Sequence, residues 1–114
     1  MATAILFIGF GRPHDAANPE QAFRWLSGEG VEYLRKQEGK YTERTEVIAL
    51  TPHGGDLSGA IILFGERAKL DELRRTDEFE AFSMQASRRL SNFGVVPGVN
   101  WDGMQAVMKR INAK

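Results

Sequence analysis

The chain has 114 residues, 42% of them hydrophobic and 26% charged, and its fifteen basic and fifteen acidic side chains balance to a formal charge of zero. A chain of this length suits one domain around one core, and its neutrality leaves no global positive field to hold a nucleic acid. There is no cysteine, which excludes disulfides, thiolate nucleophiles, iron–sulfur clusters and cysteine zinc sites, and no run approaches the roughly 20 apolar residues of a membrane-spanning helix.

Met1 to Phe10 has no basic segment ahead of its apolar run and no small-residue cleavage site after it, so no signal peptide is expected and the cytoplasm is the expected location. Ala4 to Phe10 is unbroken and apolar, and Gly11-Arg12-Pro13 follows it; this is a buried strand ended by a turn. Asn18-Pro19-Glu20-Gln21 then reads as a helix start, with Asn18 as N-cap, Pro19 at the first helical position and Gln21 completing a capping box. Phe23 with Leu26, and Val31 with Leu34, repeat at helical spacing. Gly28 and Gly30 between them predict a kink or a split, and Gly39 a stop.

Tyr41 to Thr51 is partly β-branched but contains Glu43, Arg44 and Glu46, the marks of an edge strand. The turn cluster Pro52-His53-Gly54-Gly55-Asp56 joins it to Ala60–Phe64, apolar on both faces and therefore central. Arg67 to Arg75 predicts a short helix with Leu70 and Leu73 inward. Thr76 caps a second one whose core stripe is Phe79, Phe82, Ala86 and Leu90. Phe93 to Val99 is the last strand, and Pro97 within it cannot donate to a ladder, which places it at an edge or a bulge. Residues 102–113 form an appended helix, with Asp102 as cap and Gln105 in box position. Trp101 stands as a hydrophobic staple against Ala106, and Met104, Val107, Met108 and Ile111 make an apolar face.

The element order β-α-β-β-α-β, with two apolar strands in the middle and two marked edges, selects the antiparallel order 4-1-3-2. That is an α+β, ferredoxin-like single domain spanning residues 1–114. With both helices on one face, the second face should be polar, yet strands one and three are apolar on both sides. Either the terminal helix folds beneath the sheet or a second copy covers it. A helix about a dozen residues long covers only part of four strands, so a homodimer by sheet-on-sheet packing is the expected arrangement.

In this pattern, in Gly39-Lys40-Tyr41 entering strand two, and in the broken second helix Leu70-Asp71-Glu72-Leu73-Arg74-Arg75-Thr76-Asp77-Glu78-Phe79, the chain resembles the dimeric α/β-barrel superfamily. That group includes small cofactor-free monooxygenases, muconolactone-isomerase-like proteins and stress-responsive barrel proteins. The resemblance covers nearly the whole chain as a pattern. It implies a dimer with a pocket between helices and sheet in each subunit, and no single activity.

Strands one and two run parallel in this order, so their carboxyl ends share one edge of the sheet, where His14 and His53 should stand roughly 10 Å apart. The catalytic expectation has His14 as general acid or base, oriented by Asp15, with Arg12 anchoring an anionic substrate group, His53 nearby and Trp25 and Tyr41 as pocket walls. Such an enzyme would perform cofactor-independent oxygenation or proton transfer. The competing reading has two solvent-facing turn histidines. A metal site from His14, His53, Asp15 and Asp56 matches no ligand spacing, and the haem-binding use known in the resembling superfamily needs a helical histidine, absent from both core helices; neither metal nor cofactor is expected. Gly9-Phe10-Gly11 lacks the third glycine and the following helix of a dinucleotide loop. Two functions follow as expectations: a protein that binds or transforms a small organic molecule, or a non-catalytic sensing or interaction module whose sheet face and last helix serve assembly.

Overall fold

The computed structural model describes residues 3–14, 19–51 and 53–113. Four strands, β1 (Ala4–Phe10), β2 (Arg44–Ala49), β3 (Gly59–Gly65) and β4 (Gly94–Val99), form one antiparallel sheet in the order β2-β3-β1-β4. This is the expected 4-1-3-2 order read from the other edge. β1 pairs with β3 and β4 on its two sides, with Leu6 opposite Leu63 and Pro97. Pro97 therefore stands on an edge strand, where its missing N–H removes no bond from a central ladder.

The helices form the second layer: α1 (Pro19–Trp25), a π-helical turn (Leu26–Gly30) and α2 (Val31–Arg35) between β1 and β2, then α3 (Arg67–Arg74) and α4 (Asp77–Arg89) between β3 and β4. Leu6, Ile8, Ile61 and Leu63 from the central strands, Leu34 from α2, Leu70 and Leu73 from α3, and Leu90 after α4 are all fully buried. Because strand side chains alternate, these sheet residues define one face, closed by the helices.

The π turn has a sequence cause. Ala22, Leu26, Gly30 and Leu34 are buried at a strict spacing of four. In an α-helix, at about 100° per residue, each such step drifts about 40° around the axis and carries the stripe off the sheet. The wider π turn takes up this drift. The expected kink or split is thus a continuous change of pitch. Helix α2 ends at Arg35 with Lys36 as C-cap, before Gly39. Gly39 instead serves the reversal that follows, at φ +89°, where the Gln37 carbonyl accepts from the N–H groups of Lys40, Tyr41 and Thr42. This turn consumes Tyr41 and Thr42, so β2 is shorter than the sequence suggests.

Thr76 caps α4 as expected, its hydroxyl accepting from Phe79 N at 3.2 Å while donating to Leu73 O at 2.8 Å. The proposed cap of Asn18 on α1 lies outside the described residues. At the last helix, α5 (Trp101–Asn112), the expected cap is displaced by two residues. Asn100 is extended and its Oδ1 accepts from Gly103 N at 2.9 Å, whereas Asp102 lies inside the first turn. Trp101 is consequently a helical residue, 68% exposed, and is no staple against Ala106, which is itself exposed.

Helix α5 does not fold beneath the sheet. Its anchor is the approach of Gly103 to the end of β4: a Cβ built there would meet Val99 Cβ at 2.7 Å and the Thr3 carbonyl at 2.8 Å. Beyond that point Met104, Met108 and Ile111 are exposed. The projecting helix fits a radius of gyration of 15.3 Å, against roughly 13 Å for a compact chain of this length. The outer sheet face also has no cover, with Ile5 beside Phe64, Phe7 beside Ile62 and Val96, and Ile48 beside Ala60. Only its β2 margin is polar: Arg44 lies over the Phe64 ring at 3.9 Å and binds Glu46 at 2.7 Å.

Two glycine replacements should separate these features. Gly28→Ala has open space around the new methyl group, so thermal or urea unfolding should show a gain of about 0.5–1 kcal/mol. Gly103→Val forces α5 off β4 and should cost about 1–3 kcal/mol in the same measurement.

Candidate functional site

The carboxyl end of β1 continues as an irregular antiparallel segment against the exit from α4. Gly11 N donates to Ser91 O, Ser91 N and Oγ both donate to Arg12 O, each at 2.7 Å, and His14 N donates to Arg89 O at 2.9 Å. His14 is thereby pinned to α4, and its Nε2–H donates to Ser87 O at 3.0 Å, leaving Nδ1 without a partner among the described residues. His53 is held locally, Nδ1–H to Thr51 O at 2.8 Å. Both rings are exposed. Arg12 and His53 meet in a small depression of about 150 Å³ over the Gly54-Gly55 turn, which His14 does not line. Asp15 lies outside the described residues.

The aromatic candidates separate as well. Tyr41 lines a depression with Lys40, Glu43, Glu66 and Lys69, where the Lys40 ammonium sits 5.2 Å from its ring. Trp25 lines a different cleft of about 250 Å³, between the π turn and α4, with Glu29, Gly30, Tyr33, Glu78, Ala81, Phe82 and Gln85. The six sequence candidates are therefore distributed over several places, and of those described only Arg12 and His53 share one.

The Trp25 cleft is assembled by the π turn. Its floor is Phe82, nearly buried, which stacks with Trp25 at 5.9 Å and with Tyr33 at 5.5 Å between ring centroids and touches Phe79 and Phe93 behind. Gly30 keeps the gap open, since a Cβ there would reach both Trp25 and Phe82 at 3.5 Å. Trp25 and Tyr33 are eight residues apart. An uninterrupted α-helix turns about 800° over that interval, some 80° past two full turns, and would separate them around the axis. Longer spacing through the π turn brings both rings against Phe82. Tyr33, Glu29 and Glu78 are site residues that helical periodicity alone does not reveal; the period-four stripe with two glycines is the signal that could have found them.

Two polar atoms in these walls lack partners. Trp25 Nε1 and Tyr33 Oη are buried and make no hydrogen bond among the described residues. Burial raises the Tyr33 phenol above its ordinary value of 10.0; the nearby Thr76 hydroxyl opposes this weakly, and Glu78 and Tyr41 add to it. Thr76 influences the phenol without bonding it within normal geometry, its hydroxyl being committed to Leu73 and Phe79. The cleft offers π faces, an apolar floor and rim carboxylates, with the two unpartnered polar atoms closed behind its walls. No Ser, Thr, Lys or His among the described residues is on its lining. Among the described residues no three potential metal-ligating side chains converge, and no helix is long and apolar enough to cross a membrane.

No family model and no curated protein matches the sequence. Solved structures do resemble the fold. An EthD-family protein from Bacillus halodurans aligns over 84% of this chain and 96% of its own with a TM-score of 0.66 at 18% identity. HapK from Hahella chejuensis aligns over 82% and 90%, TM-score 0.60, also at 18% identity. A dimeric protein of unknown function with a ferredoxin-like fold, from Bacteroides fragilis, aligns over 85% and 96%, TM-score 0.60, at 14% identity. The fold is thus α+β and ferredoxin-like. At such identities the likeness establishes architecture and carries no activity with it.

The raised Tyr33 value gives a signed expectation. The folded state favours the protonated phenol, so stability present below about pH 10 declines as pH rises through the raised folded value. Urea midpoints at pH 8 and pH 11 should fall further for the wild type than for Tyr33→Phe. At pH 7 the variant should be more stable than the wild type by up to about 1–3 kcal/mol, because a buried hydroxyl without a partner is removed.

Proposed function

We propose that this chain is a homodimer that binds a small organic molecule in the helix-layer cleft walled by Trp25, Tyr33 and Phe82, without a tightly held cofactor. The observation that carries the reading is the coincidence of an open aromatic cleft with two buried, unpartnered polar atoms, Trp25 Nε1 and Tyr33 Oη. A buried donor without an acceptor costs about 1–3 kcal/mol, and a ligand oxygen that parts the walls enough to reach either atom, both closed to solvent as the cleft stands, recovers that cost on binding. The volume, somewhat below the roughly 300 Å³ at the lower end of drug-sized sites, fits a compact ligand.

Binding ranks ahead of catalysis by His14. That histidine spends Nε2 on Ser87 and does not line the cleft. Proton transfer or oxygenation would need a ligand that reaches from the cleft around the end of α4 to His14 Nδ1. His14→Ala should accordingly leave ligand affinity within about twofold of wild type, read by fluorescence of Trp25; a loss greater than tenfold would return His14 to the site.

The assembly reading rests on the uncovered outer face and on α5. Ile5, Phe7, Ile62 and Phe64 form a contiguous apolar field flanked by Ile48 and Val96, and Trp101, Met104, Met108 and Ile111 are exposed apolar residues of α5. Monomeric proteins rarely leave so continuous a patch to water. A two-fold related copy satisfies it with the same surface from both partners. The Bacteroides fragilis protein of this fold is described as dimeric.

Light scattering after gel filtration should give twice the 12.7 kDa chain mass. Val96→Lys, at an exposed position outside the core, should shift the species toward monomer by at least tenfold in dissociation constant. Removal of the residues after Val99 should weaken the dimer; an unchanged dimer would strike α5 from the interface.

A further inference from the structure

From the charge of its walls, we infer that the Trp25–Tyr33–Phe82 cleft selects a small organic cation, an ammonium group carried on an apolar body. The inference rests on the proposed binding role of this cleft and names the ligand class. A chain of zero formal charge has no overall bias toward cations, so a uniformly acidic cavity is a local property. Glu29 and Glu78 line this cleft and no Lys, Arg or His does. Other depressions differ: Arg12 and His53 stand in one, Lys40 and Lys69 accompany Glu43 and Glu66 in another, and Arg35 and Lys36 accompany Glu32 in a third.

Neither carboxylate is neutralised internally. Among the described residues the ion pairs are Arg24–Glu20, Lys36–Glu32 and Arg44–Glu46, and Glu29 and Glu78 belong to none. The aromatic walls act in the same sense, because the π face of an aromatic ring is negative and attracts a cation within about 6 Å of its centroid. Trp25 already demonstrates this: the Arg89 guanidinium lies 4.7 Å from its ring, from outside the cleft lining. Tyr33 Oη has acceptor lone pairs as well as its proton, so it receives an ammonium N–H as readily as it donates. An anionic ligand meets two like charges here, and a neutral one gains the apolar floor without the attraction of the carboxylates and ring faces.

The π turn gives this site its acidity. Glu29 stands within the turn, beside Gly30, and Glu78 lies in the first turn of α4. The change of pitch sets the Glu29 segment opposite α4 instead of leaving it on the outward face of α1.

The test uses three probes of one size: phenethylammonium, 2-phenylethanol and phenylacetate. Trp101→Phe leaves Trp25 as the sole tryptophan reporter, and backbone amide shifts of residues 25–33 and 78–85 in the dimeric protein localise the binding. Phenethylammonium should bind at least tenfold more tightly than 2-phenylethanol, with phenylacetate weakest, and the preference should shrink as salt is raised. The double variant Glu29→Gln, Glu78→Gln removes charge at nearly constant volume. It should reduce phenethylammonium affinity about tenfold and leave 2-phenylethanol within about twofold. Equal affinity of the three probes, or a preference that survives the double variant, overturns the cation inference while the cleft stands as a binding site. Absence of shifts in both segments with every probe at millimolar concentration overturns the binding role itself.

Discussion

Two strands that are apolar on both faces constrain everything else in this molecule. Leu6, Ile8, Ile61 and Leu63 are fully buried beneath the helices, and their alternating neighbours Ile5, Phe7, Ile62 and Phe64 point to the opposite side. Such strands belong at the centre of a sheet, which fixes β2 and β4 as edges and, with one helix in each crossover, leaves the split βαβ arrangement. The helix layer satisfies one face only. Polar protection of the other is confined, among the described residues, to Arg44 and Glu46 at the β2 margin, so the strands that hold the core together also leave an uncovered apolar face.

The layers of this fold were legible because they depend on coarse periodicities. Ala4–Phe10 and the apolar run within Gly59–Gly65 announce central strands, Pro97 and Glu43–Glu46 announce edges, and Thr76 followed by Asp77 and Glu78 announces the break between α3 and α4. Failures occurred where two neighbouring residues offer the same chemistry. Asn100 and Asp102 are both good caps, and the choice is made by Gly103, whose close approach to Val99 sets where the helix can begin. That is a tertiary contact, invisible in a local window.

The site was harder to read for a related reason. Histidines and arginines in turns attract attention because of their chemistry, yet His14 and His53 are each tethered to a backbone carbonyl, and the structure distributes Arg12, Trp25 and Tyr41 over separate depressions. The cleft with the clearest ligand-like walls arises from a change of helical pitch. Expecting 3.6 residues per turn places Tyr33 and Glu29 incorrectly around the axis, and only the buried series Ala22, Leu26, Gly30 and Leu34 betrays the wider turn.

A π turn amounts to one residue more than an α-helix needs to join the same two ends. Loss of a single residue near Gly28 would therefore let α1 run into α2 as ordinary helix, with both flanking segments still docked on the sheet. Phe82 would keep its place in the core, while the aromatic recess and its acidic rim would close over. In this architecture the cleft is separable from the fold, and the two differ by the length of one codon.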